Sequence, residues 1–172
     1  HFLYNTLDAI VWLIESGEIS EAVTMVSSLS SYFRFSLSRG KNVITLAEEE
    51  QHIRSYLEIQ QVRYRDLMEY NIDIPDRLKY FILPKLTLQP LVENALYHGI
   101  KNRRRKGFIR VNGRTQDELL ILEVEDDGPG MTQERLNEVR ESLENGNIEG
   151  FGLRAVHQRI RILFGVEYGL SV

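Results

Sequence analysis

The hydrophobic period of the chain changes once, near residue 69, and this change limits the possible folds more than any single motif. Before it, apolar residues recur at threes and fours, the spacing of amphipathic helices. After it, "EYNIDI" alternates as a half-buried strand does, and strands and helices then follow each other. A helical opening joined to mixed strands and helices reads as α+β, with boundaries at 1–68 and 69–172.

In the opening part, Leu3, Leu7, Ile10 and Ile14 make one apolar stripe, and "SGEIS" interrupts it. A second helix is expected from about Glu18 to Ser38. It carries Ala22, Met25, Val26, Leu29, Tyr32 and Phe33 on one face, with Gly40 as its stop. "TLAEEE" offers Thr45 and Glu48 as a capping box for a third helix. Its stripe is Ile53, Tyr56, Leu57, Gln60 and Tyr64. Three such helices cannot enclose a core alone, so they need each other, a partner chain or the second half.

In the second half "TLQPLVENALYHG" reads as a helix with Leu88, Leu91, Val92 and Ala95 inward and Pro90 in the first turn. "FIRVNGR" and "LLILEVED" read as strands paired across "TQDE". "TQERLNEVRESL" is helical, with Thr132 at its start. "NGNIEGFG" is a loop, and "GLRAVHQRIRILF" is a helix with Leu153, Val156, Ile160 and Leu163 inward. "EYGLSV" begins another strand, so the sheet reads as truncated at its last strand. The expectation is helices on one face of a mostly antiparallel sheet.

Composition excludes several classes. No cysteine is present among the 172 residues, which removes disulfide scaffolds and cysteine-based zinc sites. A net charge of −4 gives no general attraction to nucleic acid, and "KNRRRKG" reads as a solvated loop. No run of eighteen apolar residues occurs, so this stretch contains no membrane-spanning helix.

Three motifs carry chemistry. In "EVEDDGPGM", Asp126 continues the apolar side of its strand after Leu120, Leu122 and Val124. An ionised carboxylate only accepts hydrogen bonds, so it selects a ligand that presents a donor, such as the amino group of adenine. Gly128 and Gly130 turn the chain and let backbone approach a flat ring. The alternative is a plain hairpin turn with a capping Asp. In "LVENALYHG", Asn94 and His98 lie one helical turn apart at one border of the stripe. The amide oxygen of Asn94 suits a hard cation such as Mg²⁺, which takes few protein ligands; a solvated helix flank is the alternative. In "EGFGLRAV", Gly150 and Gly152 precede a helix whose free N–H groups form an anion site; an ordinary loop-to-helix junction is the alternative.

In chain order, helix with Asn94, strand and Gly turn at Asp126, then Gly150 loop and helix, the three motifs resemble the N box and two glycine boxes of the ATPase fold shared by histidine kinases, gyrase-type topoisomerases, Hsp90 and MutL-type mismatch-repair proteins. No G-x-x-x-x-G-K-[ST] occurs. "HFLYNTL", then "ITLAEEEQHIRSYLEIQQVRY", then "LPKLTLQPLVENALYHGI" is similar to the LytS/YesM-type sensor histidine kinases over nearly the whole chain. That resemblance implies a helical dimerisation and phosphoacceptor hairpin followed by a Bergerat-type (GHKL) α/β sandwich. It implies His1 as phosphoacceptor; Asn5, one helical turn after His1, is read from its position as the partner of that histidine. It also implies Asp126 at adenine, Asn94 on Mg²⁺, and Gly128, Gly130, Gly150 and Gly152 shaping an ATP site beside His98 and Leu153. The implied partners are a second copy of the chain, a response regulator, and upstream sensor and transmembrane segments. The chain would then be the cytoplasmic domain of an integral membrane protein.

Two positions depart from the wider pattern. Gyrase-type enzymes carry a carboxylate one turn before the N-box Asn, where this chain has Pro90. The nearest acid is Glu93, on the far side of the stripe from Asn94. Many histidine kinases carry Lys where this chain has Tyr97. Arg63 and Arg154 are expected at phosphate or in surface ion pairs. Two other functions stay open: a nucleotide-binding dimerisation scaffold without kinase activity, and a GHKL-type hydrolytic ATPase.

Overall fold

The structure is a computed structural model that describes residues 1–37, 42–101, 105–145 and 151–172. Ser38, Gly40, Gly150 and most of the loop 145–152 lie outside the described residues.

Helices α1 (Phe2–Glu15) and α2 (Ile19–Ser36) are joined through Gly17, whose φ of +79° favours glycine. The buried face of α1 is Thr6, Ile10 and Leu13, with Phe2 half-buried beside them. The expected stripe is therefore rotated: Leu3, Leu7 and Ile14 are 38%, 44% and 53% exposed. The helix carries apolar residues on more than one face, so periodicity allows two stripes. The face that seats Phe2 against the rings of Tyr32 and Tyr56 is the one buried. Thr6 tolerates burial because its hydroxyl donates to the Phe2 carbonyl at 2.7 Å. Val26 on α2 is likewise exposed, whereas Ala22, Met25 and Leu29 are buried as expected.

Helix α3 (Leu46–Arg63) starts with the expected capping box. The Glu48 N–H donates to Thr45 Oγ1 at 3.2 Å, and the Thr45 N–H donates to Glu48 Oε2 at 2.8 Å. It is buried nearly all round, because α2 packs on one side and the sheet-bearing half on the other. Ile59 joins the core of α1 and α2, while Ile53, Tyr56 and Leu57 join the core of the second half. Phe2 and Tyr32 pack against both cores.

Strand β1 (Val43–Thr45) pairs antiparallel with β3 (Ile82–Pro84). A second sheet has the order β2 (Met68–Asp73), β4 (Gly107–Gln116), β5 (Leu119–Asp126). The β4–β5 ladder is an antiparallel hairpin in which Gln116 faces Leu119. Its turn residues Asp117 and Glu118 have φ of +48° and +66°, the left-handed pair whose twist suits a two-residue hairpin. The β2–β4 pairing is parallel, as the long connection carrying a helix permits.

That helix, α4 (Gln89–Asn94), has Pro90 in its first turn and continues into one π-helical stretch, Ala95–Ile100. The Lys101 N–H donates to the Leu96 carbonyl at 2.9 Å, an i to i+5 bond. Helix α5 (Gln133–Asn145) is capped by Thr132 Oγ1, which accepts from the Arg135 N–H at 3.2 Å. Helix α6 (Phe151–Phe164) buries Val156, but Leu163 is 46% exposed and not inward as expected. Nor do residues 167–172 form a strand. Among the described residues β5 pairs only with β4, and the Leu170 N–H is satisfied by His157 Nδ1 at 3.0 Å. Among the described residues no helix is long and apolar enough to cross a membrane.

Candidate functional site

A cavity of about 430 Å³ lies between α4 with its π stretch, α5 and α6. Glu93, Asn94, Tyr97 and His98 enter it from the first, Arg135 and Glu138 from α5, and Gly152, Leu153 and Arg154 from α6. Glu93 and Asn94, read from the sequence as flanking opposite sides of the apolar stripe, both line this cavity. Neighbouring residues on a helix differ by about 100° in direction, which one broad cavity spans. Gly152 and Leu153 stand in the first turn of α6, where backbone N–H groups have no helical acceptor and favour an anion. Arg135 is shared with Glu138 at 2.8 Å, both about half exposed, a contact of little worth to stability.

Asp126 is exposed, not the end of a buried stripe, because the edge strand β5 is only half-buried along its length. It is nevertheless held. Its Oδ1 accepts from the Gly128 N–H at 2.8 Å, and its carboxylate lies against Gly99. A Cβ built on Gly99 or Gly128 would overlap Asp126 Oδ1, and one on Gly128 would also meet Gly99 Cα at 2.6 Å. Gly128 is thus demanded by space and Gly130 by its φ of +72°, with open space around it. Asp126, Gly128 and Gly130 do not line the cavity, but Gly99 follows His98, which does. Sequence reasoning missed Gly99. Its signal is a glycine inside a helical pattern, which marks close backbone approach.

The mounting of α4 was also not read from the sequence. Glu49 of α3, fully buried, accepts from the Leu88 N–H at 2.7 Å and the Leu86 N–H at 3.0 Å. Burial pushes its carboxyl upward, opposed by these backbone donors and by Arg159. Arg159 of α6 donates to the Lys85 and Leu86 carbonyls at 2.6 and 2.9 Å. The turn before α4, where Leu86 has φ of +59°, is therefore clasped from both sides.

At the start of α4, Gln89 joins three side chains. Its Nε2 donates to Glu93 Oε1 at 2.8 Å and to the Tyr32 hydroxyl at 2.9 Å, and its Oε1 lies 2.6 Å from His52 Nε2. Burial holds His52 below its ordinary value of 6.5, the Gln89 bond opposes this, and Lys85 adds to the lowering. A histidine neutral in the fold and more easily protonated when unfolded favours the unfolded chain as pH falls below about 6.5. Stability in urea is therefore expected to drop between pH 7.5 and 5.5, with up to about 1.4 kcal/mol per pH unit from this group. The variant H52Q is expected to flatten that share of the slope.

His1 is exposed and is the N-cap of α1 without a side-chain cap bond. Asn5 meets it through the backbone, its N–H donating to the His1 carbonyl at 3.1 Å. Neither lines the cavity. Phe2 sits with its ring 4.8 Å from Tyr32 and 5.4 Å from Tyr56. Arg63 is engaged on its own helix by Gln60 Oε1 at 3.1 Å, with the Tyr64 ring beneath it. At the ends of "KNRRRKG", Lys101 covers the Tyr97 ring and Lys106 pairs with Glu69 at 2.6 Å. Residues 102–104 lie outside the described residues.

A helical hairpin joined to a sheet whose flanking helices form a cavity beside an Asp-Gly turn defines a class, and comparison agrees. Residues 83–171 match the model of the histidine kinase-, DNA gyrase B- and HSP90-like ATPase family, and residues 1–68 match the histidine kinase model. The chain belongs to this ATPase family, in its LytS/YesM-type sensor histidine kinase branch. It is 36% identical to sensor histidine kinase YesM of Bacillus subtilis (strain 168) over 172 residues, covering 100% of this chain and 29% of that protein. It is 36% identical to sensor histidine kinase BtsS of Escherichia coli (strain K12), covering 100% and 28%. It is 34% identical to sensor protein kinase HptS of Staphylococcus aureus (strain USA300), covering 100% and 33%. The chain thus spans about a third or less of these relatives. Among solved structures, Acinetobacter baumannii histidine kinase AdeS aligns with TM-score 0.47 and 17% identity, over 90% of this chain and 79% of that one. That likeness carries no residue across.

Proposed function

We propose that the chain is the cytoplasmic part of a two-component sensor histidine kinase that transfers phosphate from ATP to its own His1 and then to an aspartate of a response regulator. One observation carries the reading. Glu93, Asn94 and His98 share a cavity with the N-terminus of α6, and the carboxylate cradle of Asp126, Gly99 and Gly128 adjoins His98 in the chain. In this reading 69–172 hold the nucleotide and 1–68 supply the acceptor and the dimer contact.

The residues suit ATP with Mg²⁺. Asp126 accepts from an amino group, while Gly152 and Leu153 offer N–H groups to phosphate oxygens. Asn94 offers an amide oxygen to the cation. Among the described residues no cluster of three or more His, Asp or Glu could hold a metal. Mg²⁺ takes few protein ligands and keeps phosphate and water around it. Bound Mg-ATP would supply the phosphoryl group and neutralise charge during its transfer. His1 supplies the nucleophile, since a neutral imidazole is competent near neutral pH. Two carboxylates line the cavity, Glu93 and Glu138; Glu138 is paired with Arg135, so in this reading Glu93 takes up the proton when α1 approaches.

His1 does not line the cavity, so α1 must move toward it, within one chain or across a dimer. The exposed apolar residues Tyr4, Val11, Trp12, Ile19 and Val23 on α1 and α2 favour pairing with a second copy. The test is the fate of γ-labelled ATP with Mg²⁺. Label retained on protein supports the kinase. Released phosphate with unlabelled protein supports a hydrolytic ATPase, and bound, intact ATP supports a scaffold.

A further inference from the structure

The Gln89 amide is fully committed, and its orientation is dictated by chemistry. An ionised carboxylate only accepts, so the NH₂ end must face Glu93 and the carbonyl end must face His52. His52 must then carry its proton on Nε2. Its Nδ1 is buried with no hydrogen-bond partner among the described residues, which disfavours the other tautomer and the cation. The ring is fixed by stacking on Tyr32 at 4.8 Å and 20°. Tyr32 accepts the second Gln89 N–H and packs on Phe2, the neighbour of His1. One amide therefore touches the helical hairpin through Tyr32, α3 through His52 and the cavity wall through Glu93.

We infer that Gln89 is the positioning residue for Glu93: it holds one carboxylate oxygen, presents the other to the cavity, and ties that orientation to the aromatic seat of Phe2. The inference rests on the phosphoryl-transfer reading above. His52 and Tyr32 act through Gln89. A kinase whose α1 moves would strain this seat, so the position of the acceptor helix and the aim of Glu93 change together.

The test uses the full-length protein. Q89M keeps the volume and removes all three hydrogen bonds. Its rate of His1 labelling at saturating ATP is expected to fall about 30-fold, because a misaimed carboxylate loses proximity, while ATP affinity stays within about threefold. On an E93Q background Q89M should cause no further loss. H52Q, which keeps a donor at the place of Nε2, should retain at least about half the rate, whereas H52F should follow Q89M. Nitrogen-15 NMR should find His52 as the neutral Nε2–H tautomer in the wild type and a mixture in Q89M. An unchanged Q89M rate, a proportional loss of rate and affinity, full additivity with E93Q, or a wild-type His52 protonated on Nδ1 would each overturn the inference. A wild-type protein that binds ATP but places no label on His1 removes the phosphoryl-transfer reading, and the inference with it.

Discussion

Asp126→Asn is expected to weaken ATP binding about 100-fold, the loss that follows when a site built to pair a donor is given a second donor. The Gly128 N–H donates to Asp126 Oδ1, so an asparagine must keep its oxygen there. If Asp126 binds adenine as proposed, the NH₂ group would then face the adenine amino group, donor against donor. Gly128→Ala should be at least as severe for a different reason. Its Cβ overlaps the same oxygen and meets Gly99 Cα at 2.6 Å and the Gly99 carbonyl oxygen at 2.9 Å. Backbone must move, not merely a side chain. Gly130→Ala has open space and should cost only about 1 kcal/mol of left-handed backbone strain. Calorimetric titration with ATP checks the ranking; wild-type affinity in D126N would remove Asp126 from the adenine role.

Glu49→Ala should destabilise the fold by about 3 kcal/mol and loosen nucleotide binding although it touches no nucleotide. Two backbone N–H groups at the entrance to α4 would lose their acceptor in a buried site, at about 1–3 kcal/mol each. Glu49→Gln keeps one acceptor oxygen and should lose roughly half as much. Urea unfolding at pH 7.5 reads the stability term. Equal stability of E49A and wild type would show that the turn at Leu86 is held by Arg159 alone.

Glu49 also shows why part of this protein was legible in its sequence and part was not. Local rules place the capping box at Thr45, a hairpin connection within "TQDE", which the structure narrows to Asp117–Glu118, and the start of α5 at Thr132, because each involves residues within three or four positions. The motif residues around Asn94, Asp126 and Gly152 were likewise visible as short patterns. What was not visible depends on distant partners. Glu49 lies 39 residues from Leu88, and His52 lies 37 from Gln89. A helix as polar as α3 gives no periodic sign that it is buried on opposite sides. On α1 the failure is different. Two apolar stripes compete, and only the aromatic seat of Phe2 decides which is inward. The π stretch after Asn94 also escapes a wheel drawn at 3.6 residues per turn, and it carries Gly99 to Asp126.

In the proposed reaction, phosphate from ATP arrives on His1. Incubating the full-length protein with γ-labelled ATP and Mg²⁺, then mapping the label by mass spectrometry, tests it most directly. Acid-labile, base-stable label is expected on His1 and absent from H1Q, although H1Q still binds ATP. Label that persists in H1Q, or a wild type that binds ATP and stays unlabelled, would contradict it.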